Sequence, residues 1–290
     1  MNNLTIIVPA YNEAPALKEF LPELLSWCIP RKCSLLIVND GSTDDSQNLF
    51  NRFLPAEKVA LLNHKLNRGY GAAIKSGLAV CETEYVITLD ADGQHALEDI
   101  EKLYNLIISR DADMVVGSRK NSKTHSYYRG VGKFIIRNLA RILMTVPVYD
   151  LNSGMKIYRT ELAKKYLHLA PDTMSFSDIF TLIFINNRNL VLETPIQVKK
   201  RKNGKSTIGI ETAFQTIMEI INIVILFNPM KIFLPLSLVC LFITALWGLP
   251  ILFMGRGLSI GSLLGVILGI LLFLLGLIAE QLSLLRRSQK

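Results

Sequence analysis

Asp90 and Asp92 stand one residue apart in VITLDADGQH (86–95), where an apolar run ends abruptly in Asp-Ala-Asp-Gly. Asp is depleted in strand interiors, and neighbouring like charges are unfavourable without a counter-charge. On an extended segment the two side chains would point to opposite faces. At a strand end the chain can turn and bring one or both toward a ligand. A hard divalent cation would offset their repulsion. Mg²⁺ typically takes one or two carboxylates and completes its shell with water and substrate phosphates, a pattern that suits a nucleoside diphosphate. The competing reading is local: Asp90 caps the next helix, and Asp92-Gly93 forms a turn.

The elements around this pair read as short buried strands: LTIIVP (4–9), SLLIVND (34–40), KVALLN (58–63), EYVITLD (84–90) and DMVVGS (113–118). Helices are expected between them. One is amphipathic from Pro15 to Trp27, and one is opened by Ser42-Thr43-Asp44-Asp45. A third is rich in small residues, GYGAAIKSGLAVC (69–81), and a fourth falls near 96–109. Strands alternating with helices predict an α/β fold with a mostly parallel sheet covered on both faces. Ligands of such sheets gather beyond the carboxyl ends of the strands. The polar clusters follow those ends: Pro9-Ala10-Tyr11-Asn12-Glu13, Asn39-Asp40-Gly41-Ser42, Asn67-Arg68-Gly69, Asp90-Ala91-Asp92 and Gly117-Ser118-Arg119.

Taken in order, TIIVPAYNE, VNDGSTD, NRGYGAAI, LDADGQ and GSR resemble the motifs of family 2 glycosyltransferases with a GT-A (Rossmann-like) fold, over about residues 4–206. DLNSGMKIYR (150–159) and RKNGKS (201–206) are similar to segments of the polyprenyl-phosphate type, as in dolichol-phosphate mannose synthases and bacterial undecaprenyl-phosphate sugar transferases. The resemblance implies a sugar nucleotide donor, a polyprenyl phosphate acceptor and Mg²⁺ or Mn²⁺. It places Pro9, Tyr11, Glu13 and Asp40 around the nucleoside, with Asp44 supporting that loop. Arg68 and Ala91 join the donor site. Asp90 would face the donor sugar or the metal shell, and Asp92 would bind the metal with Gln94 as a further ligand. Arg119 and Ser153 would lie near the acceptor phosphate or sugar, while Arg201 and Ser206 would close over the donor pyrophosphate. Thr207 stands where a Lys commonly follows that Ser, and Lys205 is the available substitute.

The chemistry is then displacement at an anomeric carbon with a diphosphate leaving group. A metal at Asp92 would act as Lewis acid and template, and the planar fork of Arg201 suits phosphate. A sugar hydroxyl acceptor would need a general base, for which Asp178 in MSFSDIFTL (174–182) is the candidate, against a capping or solvated role. A lipid phosphate is already ionised near neutrality and needs cations instead. Arg129, Lys133 and Arg137 share one helix face at four-residue spacing. That face is either an acceptor-phosphate stripe, with Arg129 and Lys133 as ligands, or a solvated surface. His64, His95, His125 and His168 lack ligand spacing and read as surface or loop residues. Gly69 and Gly71 either admit a phosphate to the backbone or make a turn. Cys28, Cys33, Cys81 and Cys240 lack zinc-like spacing and read as buried or lipid-facing.

The net charge of +8 comes without aromatic–basic interleaving, which argues against nucleic acid. It fits an anionic membrane surface. Residues 229–285 read as two transmembrane helices, about 229–254 and 258–280, joined by Gly255-Arg256-Gly257. Each exceeds the roughly 20 apolar residues a span requires. Lys199–Lys205 and Lys231 precede the first span, and the basic tail 286–290 follows the second. Both termini and a catalytic domain over 1–206 are therefore expected to be cytoplasmic. Residues 207–228 read as an amphipathic juxtamembrane helix, against a long soluble core helix of similar pattern, and Met1–Glu13 shows no signal-peptide pattern. The competing functions are a processive polysaccharide synthase, whose Q-x-x-R-W motif is absent here, and a non-catalytic nucleotide-binding scaffold. The sequence names neither the sugar nor the base among UDP- and GDP-sugars. It leaves oligomeric state open, a homo-oligomer included. No protein nucleophile is placed for a double displacement, so the product is expected to have inverted anomeric configuration. NMR of the product reads this directly, and retention would contradict it.

Overall fold

The computed structural model describes residues 1–53, 58–119, 147–199, 218, 221, 224–225, 227–255, 257 and 259–288. The chain divides into two compact units, Met1–Thr216 and Ile217–Lys290.

The first unit carries strands β1 (Leu4–Ala10), β2 (Ser34–Asn39), β3 (Val59–Asn63), β4 (Tyr85–Thr88), β5 (Met114–Ser118), β6 (Lys156–Arg159) and β7 (Val191–Pro195) in one sheet of order β3-β2-β1-β4-β6-β5-β7. Its helices are α1 (Ala14–Arg31), α2 (Ser46–Phe53), α3 (Tyr70–Val80), α4 (Glu98–Ser109), α5 (Thr160–Tyr166) and α6 (Phe176–Asn186). The expected mostly parallel α/β sheet is present. Strand side chains alternate between its two faces. Leu4, Ile6, Val8, Leu35, Ile37, Ile87, Val115 and Ile157 pack with α1 and α4 on one face. On the other, α3 comes so close that a Cβ on Gly77 would lie 2.9 Å from the Ile7 side chain. Tyr158 meets the rings of Phe180 and Phe184 of α6 at 5.4 and 6.0 Å on that side.

Strand β6 runs antiparallel to both neighbours, with Thr88 opposite Lys156 and Val116 opposite the same residue. Its direction decides where the preceding loop lies. Parallel strands end at one edge of the sheet, and a strand running the other way begins there. Residues 150–155 are thereby delivered to the rim where β4 and β5 end, and the Thr88 hydroxyl donates to the Gly154 carbonyl at 2.9 Å.

The second unit contains α7 (Met230–Phe253) and α8 (Ile260–Ser288). Two stretches, Met230–Phe253 and Ile260–Leu285, are long and apolar enough to cross a membrane, with mean hydropathies of 2.3 and 2.8. The second helix therefore runs beyond the expected limit at 280, through Glu280 to Ser288. Small residues let the two helices touch, as in membrane helix pairs. A Cβ on Gly265 would fall 2.2 Å from Thr244 Oγ1, and one on Gly269 would fall 2.5 Å from Leu241. Ser237 donates to the Gly269 carbonyl at 2.7 Å.

Phe184 is fully buried between Tyr158, Tyr166 and Phe180. Phe184→Ala is expected to lower stability by about 3–5 kcal/mol. Denaturant unfolding of the solubilised chain, followed by Tyr fluorescence, measures this, and a midpoint equal to the parent's would contradict the packing.

Candidate active site

Every loop at the carboxyl edge is tied to its neighbour by a polar side chain. The Asn12 side-chain Oδ1 accepts the Thr43 and Asp44 amides at 2.8 and 3.3 Å. Asp44 accepts the amides of Ala14 and Ser46 at 3.0 and 3.1 Å, joining the starts of α1 and α2. Burial opposes its ionisation, but these hydrogen bonds outweigh it and hold the carboxyl below the usual range. The stitched loops present Tyr11, which is exposed, and Glu13, which is half-buried. Pro9 is buried in β1 opposite Val38. It lies past the point where β4 stops pairing, so its missing N–H interrupts no ladder there.

Asp40 is buried and turned into the chain. It accepts the Arg68 and Gly69 amides at 3.0 and 2.9 Å and meets His64 Nδ1 at 2.6 Å. His64 Nε2 lies 2.9 Å from Ser76 Oγ. Gly41 takes φ +70°, and a Cβ there would overlap the Leu66 backbone at 2.5 Å. Asp40 therefore shapes the loop that carries Arg68. Gly69 and Gly71 also admit backbone closely, but it is the protein's own. Added Cβ atoms would lie 2.7 Å from the Asp172 carbonyl and 2.5 Å from the Pro171 carbonyl.

Asp90 is the meeting point. Tyr70 donates its hydroxyl to Asp90 Oδ1 at 2.9 Å, and His95 Nε2 lies 3.6 Å from Oδ2. Burial works against the charged carboxyl, yet His95, Tyr70 and Arg119 together hold it below the usual range. Burial and then the Asp90 charge keep the Tyr70 phenol well above its ordinary value, so it remains a donor. Gly154 packs against a further side, where a Cβ would sit 2.1 Å from Asp90 Oδ2, and the Asp90 side chain remains 35% exposed. Two residues on, Asp92 accepts the Gln94 backbone amide at 3.1 Å and its side-chain amide at 2.8 Å. Ala91 between the two carboxylates is buried.

Opposite lies Arg119. Its Nε and Nη2 donate to the two Asp150 oxygens at 2.7 and 2.8 Å, and Nη2 also reaches the Asn152 carbonyl at 2.6 Å. Burial disfavours the guanidinium, but the paired Asp150 carboxylate more than compensates and raises its pKa. Asp150 is itself fixed, because the Tyr149 and Asp150 amides donate to Glu193 at 2.9 Å each. The Nη1 edge of Arg119 makes no hydrogen bond to a described residue. Ser153 is fully buried, with its hydroxyl on the Met155 backbone and its carbonyl accepting Ser177 Oγ at 2.5 Å. Asp178 is buried in the first turn of α6 rather than solvated.

The expectation that the histidines are surface or loop residues holds as to loops for His64 and His95 but is corrected as to surface. His64 and His95 are enclosed, with side-chain exposures of 4% and 5%, because each faces a carboxylate of the rim. His95 Nδ1 is buried without a described partner. Lys156, Tyr70, Asp150 and Glu193 also belong to the site; Asp150 and Lys156 lie in DLNSGMKIYR and Tyr70 in NRGYGAAI, but no role is expected of them there, and Glu193 lies in no quoted motif. Arg129, Lys133, Arg137, His125, Arg201, Lys205, Ser206 and Thr207 lie outside the described residues. So does most of the expected helix 207–228.

The donor set at Asp92 fits a hard cation. Asp92 offers carboxylate oxygens, while Gln94 turns its amide nitrogen toward them, so its carbonyl oxygen would join as a ligand only with that amide turned over. A Mg²⁺-type ion, which completes its shell with water and phosphate oxygens, would suit a carboxylate of this kind.

A mostly parallel sheet with one inserted antiparallel strand, ending in this carboxylate-lined rim, defines a GT-A-type domain. The chain belongs to glycosyl transferase family 2, whose model matches residues 5–167, and residues 228–285 match the GtrB C-terminal hairpin. It is 25% identical over 226 residues to a dodecaprenyl-phosphate galacturonate synthase of Rhizobium johnstonii, covering 76% of this chain and 66% of that protein. An uncharacterized protein of Methanocaldococcus jannaschii is 28% identical over 231 residues, covering 75% and 92% of the two chains. The chain thus spans just under two thirds of the rhizobial relative. Among solved structures, glucosyl-3-phosphoglycerate synthase of Mycobacterium tuberculosis shares the fold at a TM-score of 0.57 and 16% identity, over 76% of this chain and 79% of that one. TarS of S. aureus, crystallised with UDP-GlcNAc, aligns at 0.56 and 19% over 78% and 66%.

Gly154→Ala is expected to destabilise the domain by about 1–3 kcal/mol, as overpacking does, because the new methyl group and the Asp90 carboxylate cannot share one space. A thermal melt equal to the parent's would show that the carboxylate has room to step aside.

Proposed function

We propose that the protein transfers a hexose from a UDP- or GDP-sugar to a polyprenyl phosphate, with inversion, at the cytoplasmic surface of a membrane in which its hairpin is anchored. The observation that carries this reading is the combination, in one chain, of a family 2 domain over 5–167 with a GtrB-type hairpin over 228–285. A relative named for dodecaprenyl-phosphate galacturonate synthesis supports the lipid acceptor. Fold neighbours crystallised with UDP and Mg²⁺ or Mn²⁺ support the donor and the metal.

In this reading Tyr11 and Glu13 receive the nucleoside beside Pro9. Asp40 holds the Arg68 loop in place next to it. A divalent ion held by Asp92 and Gln94 would neutralise the charge that develops on the departing diphosphate. Asp90, oriented by Tyr70 and His95, takes a sugar hydroxyl. Arg119 offers its Nη1 edge to the acceptor phosphate, while Asp150 fixes the opposite edge. A phosphate monoester with its second pKa near about 6 is already an anion at neutral pH. Holding and aiming that anion replaces proton abstraction, so Asp178 is not required as a base. Ser153 supports the turn behind Gly154. Arg129 and Lys133 are proposed as further acceptor contacts, and Arg201 and Ser206 as donor contacts. Arg286, Arg287 and Lys290 after the second span, with Lys199 to Lys205 before the first, favour cytoplasmic termini.

Asp92→Ala is expected to abolish transfer of labelled sugar into an organic-extractable lipid while leaving the melting temperature of the protein within a few degrees of the parent's. Turnover retained with ordinary Mg²⁺ dependence would remove Asp92 from its role. Label appearing in polymer instead of lipid would favour a processive synthase.

A further inference from the structure

Lys156 opens β6 with no exposed surface at all. Lysine is almost never fully buried unless paired, and among the described residues this one has no carboxylate within salt-bridge distance. Its ammonium instead meets the Leu151 carbonyl at 2.5 Å, the Ser177 carbonyl at 2.5 Å and Thr181 Oγ1 at 2.7 Å. Three acceptors around one nitrogen match the three N–H donors of an ammonium. The acceptors come from two different pieces of chain: Leu151 lies in the loop before β6, and Ser177 and Thr181 lie on α6. Ser177 Oγ adds a second tie, to the Ser153 carbonyl. The loop is therefore pinned at 151 and at 153 from behind.

The front of the same loop carries the site. Asp150 and the Asn152 carbonyl grip Arg119, and Gly154 is pressed against Asp90. A displacement of the loop would move the cation and the carboxylate relative to each other. Burial pushes the Lys156 ammonium down to about 7, with Asp178, Asp150 and Asp90 opposing that shift and Arg119 adding to it. An amine enclosed among three acceptors from two pieces of chain, where methionine would fill the volume, calls for a role besides packing.

We propose that Lys156 is a positioning residue for the transfer step: its buried ammonium fixes residues 150–154 against α6 and so sets the spacing of Arg119 and Asp90 without touching substrate. The proposal rests on the function proposed above. The full-length protein is compared with Lys156→Met and Thr181→Val, the second of which keeps the lysine and removes one acceptor. Kinetic constants for sugar nucleotide and polyprenyl phosphate are measured, with amide hydrogen exchange of Arg119, Tyr149, Asp150 and Met155. Lys156→Met is expected to lower kcat about 100-fold, the scale of a 1 Å misplacement, with the sugar nucleotide KM within about twofold of the parent's. Exchange at those amides should rise, while exchange in β1 and β2 stays unchanged. Thr181→Val is expected to lower kcat about tenfold, the scale of one hydrogen bond to a charged group. Parental kcat in Lys156→Met overturns the proposal. If that variant does not fold, parental kcat in Thr181→Val overturns it. Should the wild-type protein move no sugar to lipid phosphate, the function fails separately. The exchange data then decide the positioning role, which unchanged protection at 149–155 would overturn.

Discussion

Strand β6 enters the sheet against the direction of its neighbours, and the site depends on that reversal. Thr88 and Val116 both face Lys156 across the ladder. The loop before β6 must therefore begin where β4 and β5 finish. This brings Asp150 to Arg119 and Gly154 to Asp90, although some 30 to 60 residues of sequence separate the members of each pair. A parallel strand at the same place would have delivered that loop to the opposite edge.

The rim gathers acidic side chains that would repel one another if left bare. Each described one is instead held by donors of the chain. Asp40 has the amides of Arg68 and Gly69, Asp44 those of Ala14 and Ser46, and Asp90 the Tyr70 hydroxyl. Asp150 has Arg119, and Glu193 has the amides that lead into Asp150. Such preorganisation keeps the groups from rearranging when charge appears nearby, which is the usual source of electrostatic catalysis. It also accounts for the enclosed histidines. Imidazole offers one nitrogen to a carboxylate and a second to another partner, and His64 bridges Asp40 and Ser76 in that way.

Much of the fold was legible because the signal was periodic or compositional. Buried runs at 4–9, 34–40 and 84–90 correspond to β1, β2 and β4 within a residue or two, and the polar clusters fall at their ends. The two apolar helices followed from length alone. What escaped was what only the topology joins. KIYR (156–159) is short and opens with a lysine, so nothing marked it as a central strand or gave its direction. Without β6 there was no reason to bring Glu193 or Lys156 to the site. The burial of His64 and His95 in their loops was missed because metal spacing was sought, whereas each faces a single carboxylate reached through the fold. The residue pattern leaves Gly69 and Gly71 between admitting a phosphate and making a turn, and the space beside them is taken by the backbone of residues 171–173.

The proposed transfer requires that Asp92 hold a divalent ion against a donor's diphosphate beside Asp90. A crystal or cryo-EM structure of the full-length protein with Mn²⁺ and UDP, or GDP, examines that claim most directly, with the anomalous signal of the metal as the crystallographic reading. The ion is expected within coordination distance of an Asp92 oxygen and of both phosphates, with Asp90 still bonded to Tyr70. A nucleotide bound elsewhere, or a metal at the diphosphate with Asp92 still closed on Gln94 and making no contact to it, would contradict the account.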